Sequence, residues 1–219
     1  MRNIFEKAKG HPLFEGISFD DFEKALSCLA AKSVSYGKGD IVWLAGTSTQ
    51  FIGLMMTGSV RVSKSDVDGN AIVIADVAAP NFLGEIGVLA GLEQFPVTVR
   101  ALEDCVVFFL DGKKTTSTCP SACPFHNAMI SNMLRTLAKK AFMLDQKVEI
   151  LSKRTIREKL LRFFDMQRGD AKKFTLPFSR EEMAHYLCVN RSALSDELSK
   201  MRNEGLIKYR RNEFEVLWH

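Results

Sequence analysis

The sequence predicts an α+β chain: an N-terminal β jelly-roll barrel, a long central helix, and a C-terminal winged helix-turn-helix. Three observations predict it. Between Val34 and Leu110 short apolar runs are cut by turn residues, the texture of an antiparallel sandwich or jelly roll. From Phe125 to Leu151 apolar residues recur at alternating steps of four and three (Ile130, Leu134, Leu137, Ala141, Leu144, Val148, Leu151), uninterrupted by Pro or Gly, which is a heptad seam. The last third carries two capped helical segments followed by a small hairpin, the pattern of a helix-turn-helix with a wing. The expected divisions are a barrel over 1–118, a connector and long helix over 119–152, and the winged helix over 153–219.

In chain order, residues 12–32 read as a helical lead-in, with Ser18 capping a helix whose apolar face holds Phe22, Leu26 and Leu29. Expected strands are Ile41–Ala45, Phe51–Met56, Val60–Ser63, Ala71–Val77, Val97–Leu102 and Val106–Leu110. Between them stand Gly37-Lys38-Gly39, Gly46-Thr47, Thr57-Gly58, Asp68-Gly69-Asn70 and Pro80-Asn81, of which Asp68-Gly69 is the clearest hairpin signal. Residues 111–124 form a connector containing Pro120 and Pro124. The long helix that follows spans roughly 40 Å. Its seam suits pairing with a second copy in a symmetric dimer; the alternative is packing on its own domain.

Arg154 to Gln167 reads as a helix with Ile156, Leu160, Leu161, Phe163 and Phe164 on its apolar face, stopped by Gly169. Lys172 to Pro177 is a linker or short strand. Ser179 and Glu182 make a capping box for a helix reaching about Leu187. Asn190 caps a second helix with Leu194, Leu198 and Met201 on one face, ending before Gly205. Residues 206–209 and 213–217, around Arg210-Arg211-Asn212, form the wing.

Composition narrows the function. Residues 153–219 hold 15 Lys and Arg against 10 Asp and Glu, whereas residues 1–152 hold 15 against 16. The whole positive excess therefore sits in the last third, as a polyanion partner requires. Five Cys in 219 residues argue for reduced thiols rather than a disulfide framework. No apolar run reaches the roughly 18 residues of a membrane span, and the N-terminus lacks a signal peptide's apolar stretch; a cytoplasmic protein without membrane contact is expected.

The outer face of the second capped helix carries Arg191, Ser192, Ser195, Asp196 and Ser199. An α-helix fits the DNA major groove, and residues near its N-terminus reach base edges. Arg191 suits guanine through two donors, while Ser192 and Ser195 suit less selective contacts. Ser179, Arg180, Asn190, Lys200, Lys208 and Arg210 suit phosphates. The plain alternative is a solvated polar face. The combination of two caps, turn, wing and basic bias favours double-stranded DNA.

The order of barrel, long helix and winged helix, with Phe82-Leu83-Gly84-Glu85-Ile86-Gly87, Val99-Arg100-Ala101, the 4-3 spine and Ser179 to Leu217, resembles the bacterial cyclic-AMP receptor protein / fumarate-nitrate reductase regulator (CRP/FNR) family over nearly the whole chain. The resemblance implies a homodimeric transcription regulator. Its barrel senses a small-molecule effector, its C-terminal domain binds a palindromic operator, and RNA polymerase is a partner. It places an effector site at Gly84, Glu85, Phe95, Pro96 and Val97, the dimer interface on the seven seam residues, and the start of the recognition helix at Asn190-Arg191-Ser192.

The chain also departs from the family. Where the cyclic-AMP binders carry an Arg-Ser pair for the cyclic phosphate, this chain has Phe95-Pro96, and the spine lacks the Thr-Ser pair that meets adenine. Cyclic AMP is therefore not the expected effector. The expected pocket is apolar and filled either by a different ligand or by the protein's own side chains. The helix-turn-helix turn, usually Gly, is Cys188, a costly residue at a left-handed position. The usual Arg-Glu and later Arg of the recognition helix become Arg191-Ser192 and Asp196, so the operator should differ as well.

Cys119-x3-Cys123-x2-His126 is the only metal-like spacing in the sequence; a metal or redox role there competes with chance Cys flanked by Pro. A redox-responsive regulator using Cys119 and Cys123 is the alternative reading. No metal or cofactor is expected. No enzyme is expected either: a metal-dependent barrel enzyme needs clustered ligands, and no His lies between His11 and His126. A protein-only scaffold is the remaining rival.

Overall fold

The computed structural model describes residues 2–65, 71–119 and 123–218 and divides into two compact units, Met1–Ala138 and Lys139–His219. The first begins with α1 (Arg2–Ala8), a 3-10 turn at Pro12–Phe14, and α2 (Phe19–Cys28). As the sequence indicates, Ser18 caps α2, its hydroxyl accepting from the Asp21 N–H. Then come β1 (Lys32–Tyr36), β2 (Ile41–Trp43), β3 (Phe51–Thr57), β4 (Ser59–Ser65), β5 (Ala71–Ala78), β6 (Phe82–Leu83), α3 (Glu85–Leu89), β7 (Thr98–Ala101), β8 (Cys105–Asp111), α4 (Gly112–Thr116) and the start of α5 (Pro124–Ser152). The turn at Asp68-Gly69 and the connector residue Pro120 lie outside the described residues.

Two four-stranded sheets form the sandwich, ordered β1-β8-β3-β6 and β2-β7-β4-β5. Met55, Val60, Leu83, Val99 and Val107 cluster in one core. A second core joins Ile52, Leu54, Phe108 and Leu110 to Phe22 and Leu29 of α2 and to Phe125, Met129 and Met133 of α5. Alternate residues of β3 and β8 thus feed two cores, which is why these strands read as near-continuous apolar runs. The Asn132 side chain donates to the Leu13 and Glu15 carbonyls, which fixes the rotation of α5 about its axis on this unit.

The second unit takes the end of α5, then α6 (Ile156–Arg168), β9 (Lys173–Thr175), α7 (Arg180–Tyr186), α8 (Arg191–Asn203), β10 (Ile207–Arg210) and β11 (Glu213–Val216). Thr155 and Glu158 form a capping box on α6, and Ser179 and Glu182 form another on α7. Its core unites Ile150 of α5 with Leu160, Phe163, Phe164, Met183, Leu187, Leu194, Leu198, Met201, Ile207, Phe214 and Val216. The wing is a three-stranded sheet ordered β10-β11-β9. Of the Lys172–Pro177 stretch, open between linker and strand from sequence, Lys173–Thr175 is thus a strand paired with β11.

Between α7 and α8 the chain turns at Cys188, exposed and at φ 52°. A Cβ in that region clashes with the adjacent carbonyl at a cost of about 1–2 kcal/mol, whereas Gly adopts it freely but gains entropy when unfolded. Cys188→Gly is therefore expected to stabilise the C-terminal unit by about 0.5–1 kcal/mol, measured as a higher urea midpoint for its unfolding. An unchanged or lower midpoint would show that the turn carries no strain.

Candidate functional site

In the helix-turn-helix the caps determine which polar groups remain available. The Asn190 Oδ1 accepts from the Ser192 N–H at 2.8 Å and from the Ser192 hydroxyl at 2.6 Å. The Ser195 hydroxyl donates to the Arg191 carbonyl and that of Ser199 to the Ser195 carbonyl, each at 3.0 Å. All three hydroxyl protons are thus engaged within the protein, leaving the serine oxygens as acceptors. Ser179 is similarly occupied, accepting from the Glu182 N–H while its own N–H donates to the Glu182 carboxylate. The backbone hydrogen bond from Ser179, then its hydroxyl, lower the pKa of Glu182. Lys200, Lys208 and Arg210 are exposed and free to extend.

Helical geometry refines where Arg191 points. Seven residues advance about 700°, so Arg191 lies within about 20° of Leu198 around the helix, not opposite it. The residues facing away from Leu194 and Leu198 are Ser192, Asp196 and Ser199. Arg191, exposed at the first turn, flanks the wing instead. With Thr175, Ser179, Arg180, Tyr209, Arg210, Arg211, Asn212 and Glu213 it lines an open concavity of about 890 Å³ between α8 and the wing. Arg211, in the wing turn at φ 54°, was not singled out from sequence; its place between two short strands is the signal that was available.

Arg180 is placed differently from the expected extended phosphate contact. Its guanidinium packs 5.0 Å from the Tyr209 ring centroid and 4.9 Å from that of Phe214, and donates to the Arg211 carbonyl at 2.9 Å. Burial lowers its pKa from the ordinary value, and its Nη1 is buried without a partner. Arg180 therefore holds the wing against the start of α7. A second clamp sets α8: Arg157 of α6 forms two parallel bonds to the Glu204 carboxylate, each 2.7 Å, and a third to Glu197. These bonds raise the Arg157 pKa and lower that of Glu204. The fork geometry of Arg fixes orientation as well as charge.

In the barrel the expected effector residues gather around a plug. Gly84 and Glu85 begin α3, with Gly84 at φ 75° and Glu85 buried. Phe95 is 4% exposed, and its backbone is held by the Phe95 N–H to the Thr47 carbonyl and the Gly46 N–H to the Phe95 carbonyl. Its ring centroid lies 5.4 Å from that of Trp43. A Cβ on Gly84 would come within 2.6 Å of the Trp43 ring, and one on Gly87 within 2.7 Å of the Phe95 ring. The two glycines thus make room for the protein's own aromatic rings. Pro96 is exposed and Val97 half-buried. Of the two expected fillings, own side chains or a ligand, the space beside Gly84 holds own side chains. Trp43 was not singled out from sequence. Beside it, Tyr36, Val42, Phe51 and Phe109 help line an open, largely apolar groove of about 260 Å³.

The seam residues divide by environment. Leu134, Leu144 and Val148 are 62%, 60% and 64% exposed, and Ala141 is exposed too. Ile130 and Leu151 are partly covered, and Leu137 packs partly against the first unit's core. Phe142 and Met143 add further exposed apolar surface.

Residues 33–120 match the family model of the cyclic nucleotide-binding domain, and residues 156–217 that of the Crp-like helix-turn-helix domain. The chain belongs to the CRP/FNR family of transcription regulators. It is 24% identical over 211 residues to the transcriptional activator protein FnrA of Stutzerimonas stutzeri, covering 88% of this chain and 80% of that protein. Among solved structures, the catabolite activator protein of Thermus thermophilus aligns at TM-score 0.51 and 19% identity over 94% of this chain and 93% of that one. The c-di-GMP responsive regulator CLP of Xanthomonas campestris aligns at 0.57 and 17% over 92% and 100%. These two likenesses bear on the fold, and they agree with the barrel, long helix and winged helix described above. Among the described residues no helix is long and apolar enough to cross a membrane.

Within this CRP/FNR chain the aromatic plug has a measurable consequence. Phe95→Ala should cost about 3–5 kcal/mol of stability in the first unit, and cyclic AMP should bind neither the natural chain nor the variant in calorimetry. A micromolar dissociation constant for the natural chain would show that the plug yields to the nucleotide.

Proposed function

We propose that the protein is a homodimeric regulator that binds a palindromic operator through α8 and the wing, and whose barrel senses a small molecule other than cyclic AMP. The concavity between α8 and the wing carries this reading, because it gathers Arg191, Arg210 and Arg211 beside the N-terminus of a helix sized for the major groove. Arg191 reaches a guanine edge from the wing side, Asp196 and Ser192 face the remaining bases, and Lys200, Lys208, Arg210 and Arg211 meet phosphates. Arg180 positions the wing rather than the backbone.

The exposed stripe of Leu134, Ala141, Leu144 and Val148 supports pairing through α5. It is apolar and otherwise in water, and a two-fold interface would cover it with the same stripe of a second copy. Loss of an Arg-Ser pair in favour of Phe95-Pro96 supports an effector without a cyclic phosphate. The aromatic groove beside Trp43 supports an apolar or aromatic ligand of small size. RNA polymerase is the partner through which such a regulator acts. No catalytic constellation enters this reading.

Selection of binding sites from random duplex DNA, followed by salt titration, tests it. Arg191→Ala should cost about 1–3 kcal/mol per half-site and relax preference at one position in each half. Arg210→Ala should weaken all sequences alike and reduce the salt slope by about one unit per lost contact in each subunit. An unchanged selected sequence for Arg191→Ala removes it as a base reader. Absence of any duplex preference in the natural chain removes the operator reading altogether.

A further inference from the structure

We propose that Cys28, Cys119, Cys123 and His126 form a binding site for a thiophilic divalent cation, with Zn²⁺ the ion that the ligand set fits best. The fold brings these residues together from three places: the C-terminal end of α2, the segment after α4, and the first turn of α5. Potential ligand atoms of Cys28, Cys119 and His126 all lie within 4.8 Å of one another. The Cys28 Sγ stands 3.8 Å from the His126 Nε2, across 98 residues of sequence. Cys119 is in side-chain hydrogen-bonding contact with both Cys28 and Cys123, which adds a third sulfur.

The spacing matches tetrahedral coordination. With Zn–S near 2.3 Å and Zn–N near 2.0–2.1 Å, ligand atoms sit about 3.4–3.8 Å apart. The Cys28–His126 edge already has that length, and among the ligand atoms of Cys28, Cys119 and His126 the widest separation, within 4.8 Å, closes with a shift of about 1 Å. Three sulfurs and one imidazole are a known structural zinc set, and soft thiolates disfavour magnesium and calcium.

His126 is poorly satisfied without a cation. His126 is 1% exposed, its Nδ1 is buried without a hydrogen-bond partner, and its Nε2 faces a thiol, a weak partner at best. Burial lowers the His126 pKa, leaving the neutral imidazole that ligates metals. The Cys28 thiol is pushed up by burial and then by Cys119. Cys123 is pushed up by its hydrogen bond with Cys119, then by burial. A bound dication reverses that: the thiols ionise, their protons pass to solvent, and three S–Zn bonds and one N–Zn bond form. A disulfide, the redox alternative for Cys119 and Cys123, leaves His126 and Cys28 without a role. The sequence spacing from Cys119 to His126 lacked Cys28, which only the packing of α2 beside α5 supplies. The ion ties the segment leaving the barrel to the root of α5.

Protein stripped with chelator under reducing conditions is titrated with Co²⁺ and then with Zn²⁺ against a chromophoric chelator. The expected result is one ion per chain, with thiolate-to-cobalt charge-transfer bands and the intense ligand-field bands of tetrahedral Co²⁺. Cys28→Ser and Cys119→Ser should each weaken Zn²⁺ on the order of 100-fold or more, while Cys188→Ser leaves affinity unchanged. Zn²⁺ should raise the thermal midpoint of the natural chain and not of Cys119→Ser. The proposal is overturned by substoichiometric uptake without thiolate bands. It is equally overturned by full affinity in both Cys28→Ser and Cys119→Ser, or by a mapped Cys119 disulfide in a protein that takes up no zinc once reduced. DNA binding is not a readout, so the outcome stands apart from the operator reading.

Discussion

The structure depends on how one helix of 29 residues, α5, distributes its sides. Phe125, Met129 and Met133 are buried in the core of the first unit, and Ile150 is buried in that of the second. At about 100° per residue, Leu134, Ala141, Leu144 and Val148 lie about 100–180° around the helix from Phe125, so the apolar residues do not form one band. Those that anchor each unit and those at the 4-3 positions fall on different lines. The 4-3 line is the one left in water, at Leu134, Ala141, Leu144 and Val148. The proposed pairing with a second copy rests on that exposed apolar line. Leu137 is the exception that ties the line to the barrel, since it also touches the first unit's core.

The barrel and the winged helix each show a family frame with its contacts reassigned. In the barrel, Gly84 and Gly87 give close approach to Trp43 and Phe95. A phosphate there would need charge-assisted donors, and the rings supply none. In the winged helix the serines of α8 donate to their own helix, so their oxygens remain only as acceptors and Arg191 is left as the exposed donor of the first turn. Arg157, bonded to Glu197 and Glu204, makes the presentation of α8 a property of α6 packing rather than of the turn at Cys188 alone.

Elements with local signals were legible in the sequence. Ser18, Ser179 with Glu182, and Asn190 cap the helices expected of them. The expected strands from Phe51 onward match β3, β4, β5, β7 and β8 to within two residues at each end. Thr155 and Glu158 carried the same capping signal and went unread, so α6 was expected two residues early at its start and one early at its end. β1, Lys-Ser-Val-Ser-Tyr, was missed because an exposed edge strand lacks the apolar run of a central one. The clustered sites were legible only in part, because they depend on tertiary contacts. Nothing local pairs Trp43 with Phe95, Cys28 with His126, or Arg180 with the aromatic rings of the wing. The helical phase of Arg191 was computable from sequence, yet its approach to the wing was not.

The central claim is that two copies joined through α5 read one palindrome. The most direct measurement is sedimentation of the natural chain and of Leu144→Asp on the selected palindromic duplex and on a duplex carrying one half-site. The prediction is two natural chains per palindrome, with the half-site bound on the order of 100-fold more weakly. Leu144→Asp, placing a charge in the proposed seam, should bind both duplexes as a single chain with the weaker affinity. One natural chain per duplex with equal affinity for both, or Leu144→Asp binding as a pair at natural affinity, would contradict it.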